Sequence, residues 1–284
     1  MRRLVIAALS LLALLLGSSS AQAITWNGEP DGTEHPHVVT LLFEQNGAFY
    51  SCSGTLLSPT VVLTAGHCVE DGNGEPNDRT YVSNSPEPLS DYEGGGLSNY
   101  LESSEQWVSG EAIAHPEYDN FSGFPNTYDI GLVVLEEPGI DTGGVYGQLP
   151  DEGMLDALAT KKGATTQRQV KLVGYGMQGT VPTAMVVYER YQGIATITGL
   201  NRSSITGSQS LQLTNAPGKG TGGSGTCYGD SGGPAFWIDP VTGEETTIVV
   251  AVTSFGITGG QCVGTGYSFR TDTTWAQEFV DEYL

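Results

Sequence analysis

Basic residues are scarce in this 284-residue chain: 11 Lys and Arg stand against 32 Asp and Glu, a formal net charge of −21. Such a chain is a poor partner for nucleic acid, whose phosphates are held by Lys and Arg. The acidity reads first as solubility outside the cell, with adaptation to salt as the second reading. Cysteine is also sparse, at positions 52, 68, 227 and 262, and no C-x-x-C occurs. That excludes a zinc ribbon and a thioredoxin-type site. Histidine occurs four times, at 35, 37, 67 and 115. Long apolar runs are absent beyond Leu4–Leu16. That run is shorter than the ~20 residues a membrane span needs, so no membrane association is expected once it is removed.

The apolar run has a purpose of its own. Met1-Arg2-Arg3 gives a positive start, Gly17 to Ser20 is small and polar, and Ala21-Gln22-Ala23 is an A-x-A cleavage signal. Residues 1–23 therefore read as a secretory signal peptide and place the mature protein outside the cell. The Arg2-Arg3 pair gets little support from its surroundings as a twin-arginine signal. Cleavage leaves residues 24–284 as the folded domain. The leader carries two arginines and no acid, so the formal charge moves from −21 to −23. In a secreted chain an even set of cysteines predicts disulfides. Four cysteines leave three pairings open, of which Cys52–Cys68 with Cys227–Cys262 is the most local.

Forty glycines, with plentiful Val and Thr, favour short strands and tight turns over long helices. Strands are expected at 37–43, 49–57, 60–64, 130–135, 169–174, 185–191 and 247–253. The stretches 70–78, 83–98 and 215–225 read as loops, and 138–147 reads as a connection between two halves. One helix is expected, over 273–284, capped at Thr271-Asp272, with Trp275, Phe279 and Val280 near one face. Many short strands with one terminal helix predict an all-β barrel architecture.

Three segments carry chemistry. Gly225-Thr226-Cys227-Tyr228-Gly229-Asp230-Ser231-Gly232-Gly233-Pro234 places a serine between glycines. A serine hydroxyl is a weak nucleophile and needs a base beside it. It also needs N–H groups aimed where negative charge develops. Gly229 and Ser231 are the candidate donors of that oxyanion hole. Thr64-Ala65-Gly66-His67-Cys68 supplies the base: His67 follows an apolar strand and precedes a cysteine that can fix its turn. His35, His37 and His115 have no comparable company and read as surface or turn residues. Asn126-Thr127-Tyr128-Asp129-Ile130-Gly131-Leu132 supplies the orienter. An aspartate entering a buried strand is costly unless a partner such as a His N–H uses it.

The strings LTAGHC, DIGLVVL and GDSGGP, in the order His, Asp, Ser, resemble the three signature segments of the chymotrypsin-like, or trypsin-type, serine proteases. The resemblance spans essentially the whole mature chain and differs in the loops. It implies two six-stranded antiparallel β-barrels with a cleft between them and a C-terminal helix. It implies Cys52–Cys68 and Cys227–Cys262 as the disulfides, the first beside His67 and the second in the pocket wall. It implies an endopeptidase that works as a monomer on polypeptides, meets protein inhibitors, and uses no metal and no organic cofactor. Ser231 attacks, His67 carries the proton and Asp129 orients His67. Ser254 resembles the serine that supports the aspartate, and Gly256 the residue that pairs with substrate backbone.

The same resemblance assigns a specificity pocket. Gly225 takes the pocket-base position, where trypsin-like members carry an acid; Gly256 and Gly266 take the wall positions. Three glycines imply a neutral, roomy pocket for large apolar or aromatic side chains. The family's Ile-Val-Gly-Gly start is replaced by Ile24-Thr25-Trp26-Asn27. Even so, cleavage after Ala23 exposes an Ile24 amine that can pair with Asp230. The acidic stretch 71–78 lacks EF-hand spacing and reads as a solvated loop. An esterase of the α/β-hydrolase type needs Asp and His after the serine, and every histidine precedes Ser231. A non-catalytic binding protein on the same fold is the remaining alternative.

Overall fold

Val, Leu, Thr and aromatic residues between turn-forming Gly, Asn and Pro build fifteen strands among the described residues. The structure, a computed structural model, describes residues 24–158, 168–200, 207–215, 223–258 and 260–284. The expected signal peptide 1–23 and most of the expected loop 215–225 lie outside them.

Six strands close the first barrel: β3 (Val38–Gln45), β4 (Ala48–Leu56), β5 (Val61–Thr64), β6 (Arg79–Ser83), β7 (Val108–Ala114) and β8 (Gly131–Leu135). Every pairing is antiparallel, in the order β3-β4-β5-β8-β7-β6, with β6 returning to β3. The β3–β4 hairpin turns on Asn46-Gly47, both at positive φ (51° and 78°). That is the two-residue turn whose twist suits paired strands.

The second barrel is built from β9 (Gln169–Gly174), β10 (Tyr191–Leu200), β11 (Ser210–Asn215), β13 (Pro234–Ile238), β14 (Glu245–Gly256) and β15 (Gly264–Arg270). The order is β11-β15-β14-β13-β9-β10, and β10 pairs back to β11. Two short strands precede the barrels. β1 (Thr25–Trp26) pairs with β12 (Ser224–Gly225), and β2 (Glu29–Pro30) adds to β10. The segment 138–147 lies between β8 and β9 and so links the barrels.

Each barrel has its own interior, Leu41, Val62 and Val133 in the first and Leu172, Ile197 and Leu213 in the second. A third cluster forms the seam. It joins Val38, Leu63 and Leu132 of the first barrel to Val173, Phe236 and Val252 of the second, with Phe279 and Val280 of the C-terminal helix packed in. Burying a side chain such as Phe279 contributes about 1.5–3 kcal/mol, so the helix ties both barrels at once. The helix runs Thr274–Asp281, and its cap is Thr273, whose hydroxyl accepts from the Ala276 N–H at 3.4 Å. Asp272, expected as a cap, is buried instead. It pairs with Arg270 at 2.8 Å and accepts from the Leu155 N–H at 2.7 Å.

Other expectations need correction. A second helix, Leu97–Ser103, begins within the last two residues of the expected loop 83–98 and packs on a satellite core of Leu42, Tyr81, Leu101 and Trp107. The stretch 185–190 is not a strand; β10 starts at Tyr191 and runs to Leu200. The three histidines expected as surface or turn residues are buried, although His37 does lie in a turn. His35 bonds Asp31 and also reaches Glu245 at 2.6 Å. His37 packs edge-on to Phe236 with centroids 5.1 Å apart. His115 stacks on Tyr128 at 5.0 Å. A histidine beside an aromatic or a carboxylate is accommodated inside, and that neighbour comes from remote sequence.

Candidate active site

His67 sits on a single 3-10 turn, Gly66–Cys68, that follows β5. The Cys52–Cys68 disulfide ties this turn to β4, and the Asn77 side chain donates to the Cys68 carbonyl at 2.7 Å. Asp129 lies just before β8, fully buried. Its carboxylate accepts the His67 backbone N–H at 2.9 Å and faces His67 Nδ1 at 2.9 and 3.0 Å. The Ser254 hydroxyl, on β14, donates to the same carboxylate. Three remote segments thus converge on one buried charge.

The electrostatics follow from this packing. Burial pushes the Asp129 carboxyl up, but the His67 charge and the bonds from His67 and Ser254 outweigh it and hold the group below the usual carboxylate range. For His67, burial works against protonation; the Asp129 charge and hydrogen bond overcome it, and the imidazole is held above its ordinary value. The Nδ1 edge of the imidazole is thus tied to Asp129.

Ser231 lies in the turn 227–233, half-buried, on the same cleft as His67. The turn closes on itself through Asp230 N–H to Cys227 O at 3.1 Å and Gly233 N–H to Asp230 O at 2.9 Å. Gly229 and Gly232 take positive φ of 93° and 76°. A side chain at Gly232 would overlap the Thr64 hydroxyl and the Ser53 carbonyl, so only glycine lets the turn press on the first barrel. Among the described residues, no acceptor takes the Gly229 or Ser231 N–H.

Asp230 is buried beneath the turn, where its carboxylate accepts from the Gly176 N–H at 2.9 Å and the Cys227 N–H at 2.8 Å. Burial pushes this carboxyl up to about 7 despite those two bonds. Ile24 is also buried, its side chain in the second-barrel core with Leu172 and Leu213.

The cleft has a volume of about 770 Å³. One part of its lining comprises Asn215, Thr226, Cys227, Gly256, Thr258 and Thr265, with the Cys227–Cys262 disulfide in the wall. Gly256 is exposed and pairs with Gly266 across β14 and β15. Gly225 does not open onto empty space, because the Asn215 side chain lies against it. Another part of the lining is apolar: Phe49, Tyr50, Leu89, Leu97, Val186 and Tyr188. Sequence reasoning missed Asn215, Ser53 and this apolar part, since nothing in their local sequence marks them. Among the described residues, the one grouping with metal-ligand geometry is Cys52, His67 and Cys68. Both its thiols are spent in the disulfide.

Comparison with known proteins bears on the family and the fold. The Trypsin family model matches residues 24–280. Chymotrypsin-like elastase family member 1 of Macaca fascicularis is 26% identical over 246 residues, covering 86% of this chain and 79% of the relative. The clotting factor G beta subunit of Tachypleus tridentatus is 26% identical over 76% of this chain, which spans 65% of that protein's length. Glucanase inhibitor protein 3 of Phytophthora infestans is 27% identical over 76% of this chain and 70% of its own. Among solved structures, HL collagenase superposes with a TM-score of 0.62 at 19% identity, covering 90% of this chain and 98% of its own. At that identity the likeness speaks to the fold. With the family model spanning nearly the whole described chain, this protein belongs to the trypsin family of chymotrypsin-like serine proteases.

Proposed function

We propose that the protein is a secreted serine endopeptidase that hydrolyses peptide bonds through an acyl-enzyme, favouring large apolar or aromatic residues before the scissile bond. The observation that carries this reading is the buried Asp129, whose oxygens are committed to His67 and Ser254 on the cleft that holds Ser231. A carboxylate so enclosed is costly unless it serves the imidazole. In the reaction, Ser231 Oγ attacks the scissile carbonyl while His67 Nε2 takes its proton. The Gly229 and Ser231 N–H groups receive the oxyanion. His67 then protonates the leaving amine, and water, deprotonated by His67, releases the acid. Gly256 pairs with substrate backbone, and the pocket beside Gly225 and Gly266 takes the side chain before the cut. The leader 1–23 supports secretion, and among the described residues no helix is long and apolar enough to cross a membrane. Signal cleavage would expose the Ile24 amine for Asp230.

The similarity to a glucanase inhibitor keeps one second reading in view, a binding protein on this fold. Labelling with a fluorophosphonate separates the two. The folded protein is expected to be labelled at Ser231, and a Ser231→Ala variant is not; an unlabelled wild-type protein favours the binding reading. A peptide library cleaved by the wild type, with Ser231→Ala as control, then gives the side-chain preference.

A further inference from the structure

Position 225 carries no side chain, yet its place is filled. A Cβ on Gly225 would fall well inside van der Waals contact of Asn215 Oδ1, and Gly266 faces the same oxygen at 3.1 Å from its own ideal Cβ. Asn215 ends β11, which pairs with β15, so it enters the pocket from a different strand. Its amide is held by two bonds to the backbone of one residue: Oδ1 accepts the Thr226 N–H at 3.0 Å, and Nδ2 donates to the Thr226 carbonyl at 2.9 Å. From behind, the Trp26 indole donates to the Asn215 carbonyl at 3.2 Å. Asn215 is nearly buried and lines the cleft. A clamped amide of this kind cannot swing aside for an incoming side chain without leaving Thr226 unpaired.

We infer that Asn215 is the specificity-determining residue of this site: its amide forms the floor of the pocket and sets both the depth and the charge that a substrate side chain meets. The inference rests on the peptidase reading proposed above. The floor is neutral because Asn215 is an amide, so basic side chains find no counter-charge. It is also shallower than three pocket glycines imply, so the site takes Leu and Met at least as well as Tyr and Trp. Glycine at 225 is then required for clearance as much as for openness.

The test changes the floor and reads ratios between substrates. Asn215→Asp puts a carboxylate where an Arg or Lys side chain ends. The expected result is at least about a tenfold rise in kcat/KM for Arg and Lys peptides relative to Leu peptides. Asn215→Ala removes the floor and is expected to raise Trp and Tyr over Leu by about fivefold or more. A structural role alone would lower all substrates together and leave the ratios flat, which would overturn the inference. Benzamidine, a phenyl ring with an amidinium, gives a readout that needs no turnover. In a Ser231→Ala background, Asn215→Asp is expected to bind it at least about tenfold tighter than the Asn215 parent, by calorimetry. Tighter benzamidine binding without peptide hydrolysis by the wild type would sink the peptidase reading and keep the floor. Unchanged binding by a folded Asn215→Asp variant, with Ser231-dependent hydrolysis intact, would sink the floor alone. If Asn215→Asp does not fold, the Asn215→Ala ratios decide.

Discussion

Ser53 of the first barrel and Ser231 of the second are joined directly: the Ser53 N–H donates to the Ser231 carbonyl at 2.8 Å. The Ser53 side chain completes the junction. Its hydroxyl donates to the Gly229 carbonyl at 2.8 Å and accepts the Tyr175 N–H at 3.0 Å. One fully buried serine thus fixes the middle of the turn that carries Ser231. Ser53→Ala keeps the backbone bond but leaves the part-buried Gly229 carbonyl and the buried Tyr175 N–H unpaired, the latter at a cost of about 1–3 kcal/mol. The expected outcome is a lower melting temperature and a kcat reduced by roughly tenfold with little change in KM. Unchanged kcat would mean that the turn holds its shape without Ser53.

The base gives a second prediction. In the proposed reaction His67 acts only when neutral, and Asp129 holds it protonated above its ordinary value. Activity is therefore expected to fall as pH drops, with an acid limb above 6.5. Asp129→Asn removes the charge and the tautomer control. A loss on the order of 10⁴ in kcat is expected, with the residual activity keeping its acid limb at lower pH. A pH–rate series on both proteins checks this; an acid limb that stays in place would detach Asp129 from the base.

How much of this was legible beforehand depends on what holds each part in place. That His67 and Asp129 meet, on the cleft that Ser231 also lines, could be read because each sits in a stretch whose own residue types set it apart. The hairpin at Asn46-Gly47 lies between two strands read from their composition, for the same local reason. Strands such as β7 and β15 were not legible, because Gly110 and Gly266 interrupt their apolar pattern and pairing partners decide them. Asn215 was invisible for a related cause: its meaning comes from Gly225 and Gly266, which lie on other strands and against its side chain. The histidines failed in the opposite direction. Their local sequence is polar and turn-like, whereas Asp31, Glu245 and Phe236 draw them inside.

That buried cluster makes a prediction about stability. Burial works against a charged His35, but its bonds to Asp31 and Glu245 prevail and raise it to about 9. Arg190, fully buried, pairs with Asp31 at 2.6 Å, and Lys171 lies 3.6 Å from Glu245. A raised histidine stabilises fully below its unfolded value of 6.5, and that contribution is lost as pH rises through about 9. His37 behaves oppositely. Burial, then the charges of His35 and Arg190, lower it to about 4, so stability falls as pH drops from 6.5 toward 4. Melting curves from pH 4 to 10 should therefore decline on both sides. His35→Gln is expected to flatten the alkaline decline and His37→Phe the acid one. For a chain of this size each kcal/mol moves the melting temperature by about 2–4 °C. Equal slopes in wild type and variants would place the titration elsewhere.

The N-terminus offers the last prediction. Without a cation nearby, burial holds the Asp230 carboxyl up at about 7. A carboxyl raised in the folded state favours folding when protonated, so its ionisation between pH 3.8 and 7 takes stability away. A free Ile24 ammonium would reverse the sign by pairing with the carboxylate. Two forms distinguish these cases: protein beginning at Ile24, and protein with one alanine left before Ile24. The extended form is expected to lose stability from pH 4 to 7 relative to the mature form, and to be less active at neutral pH. The mature form should lose activity as pH rises above ~8, the value of a free α-amino group, because pairing with the Asp230 carboxylate holds the proton on Ile24 to higher pH. N-terminal sequencing of the secreted protein provides the natural start. Superimposable pH profiles for the two forms would show that Ile24 does not reach Asp230.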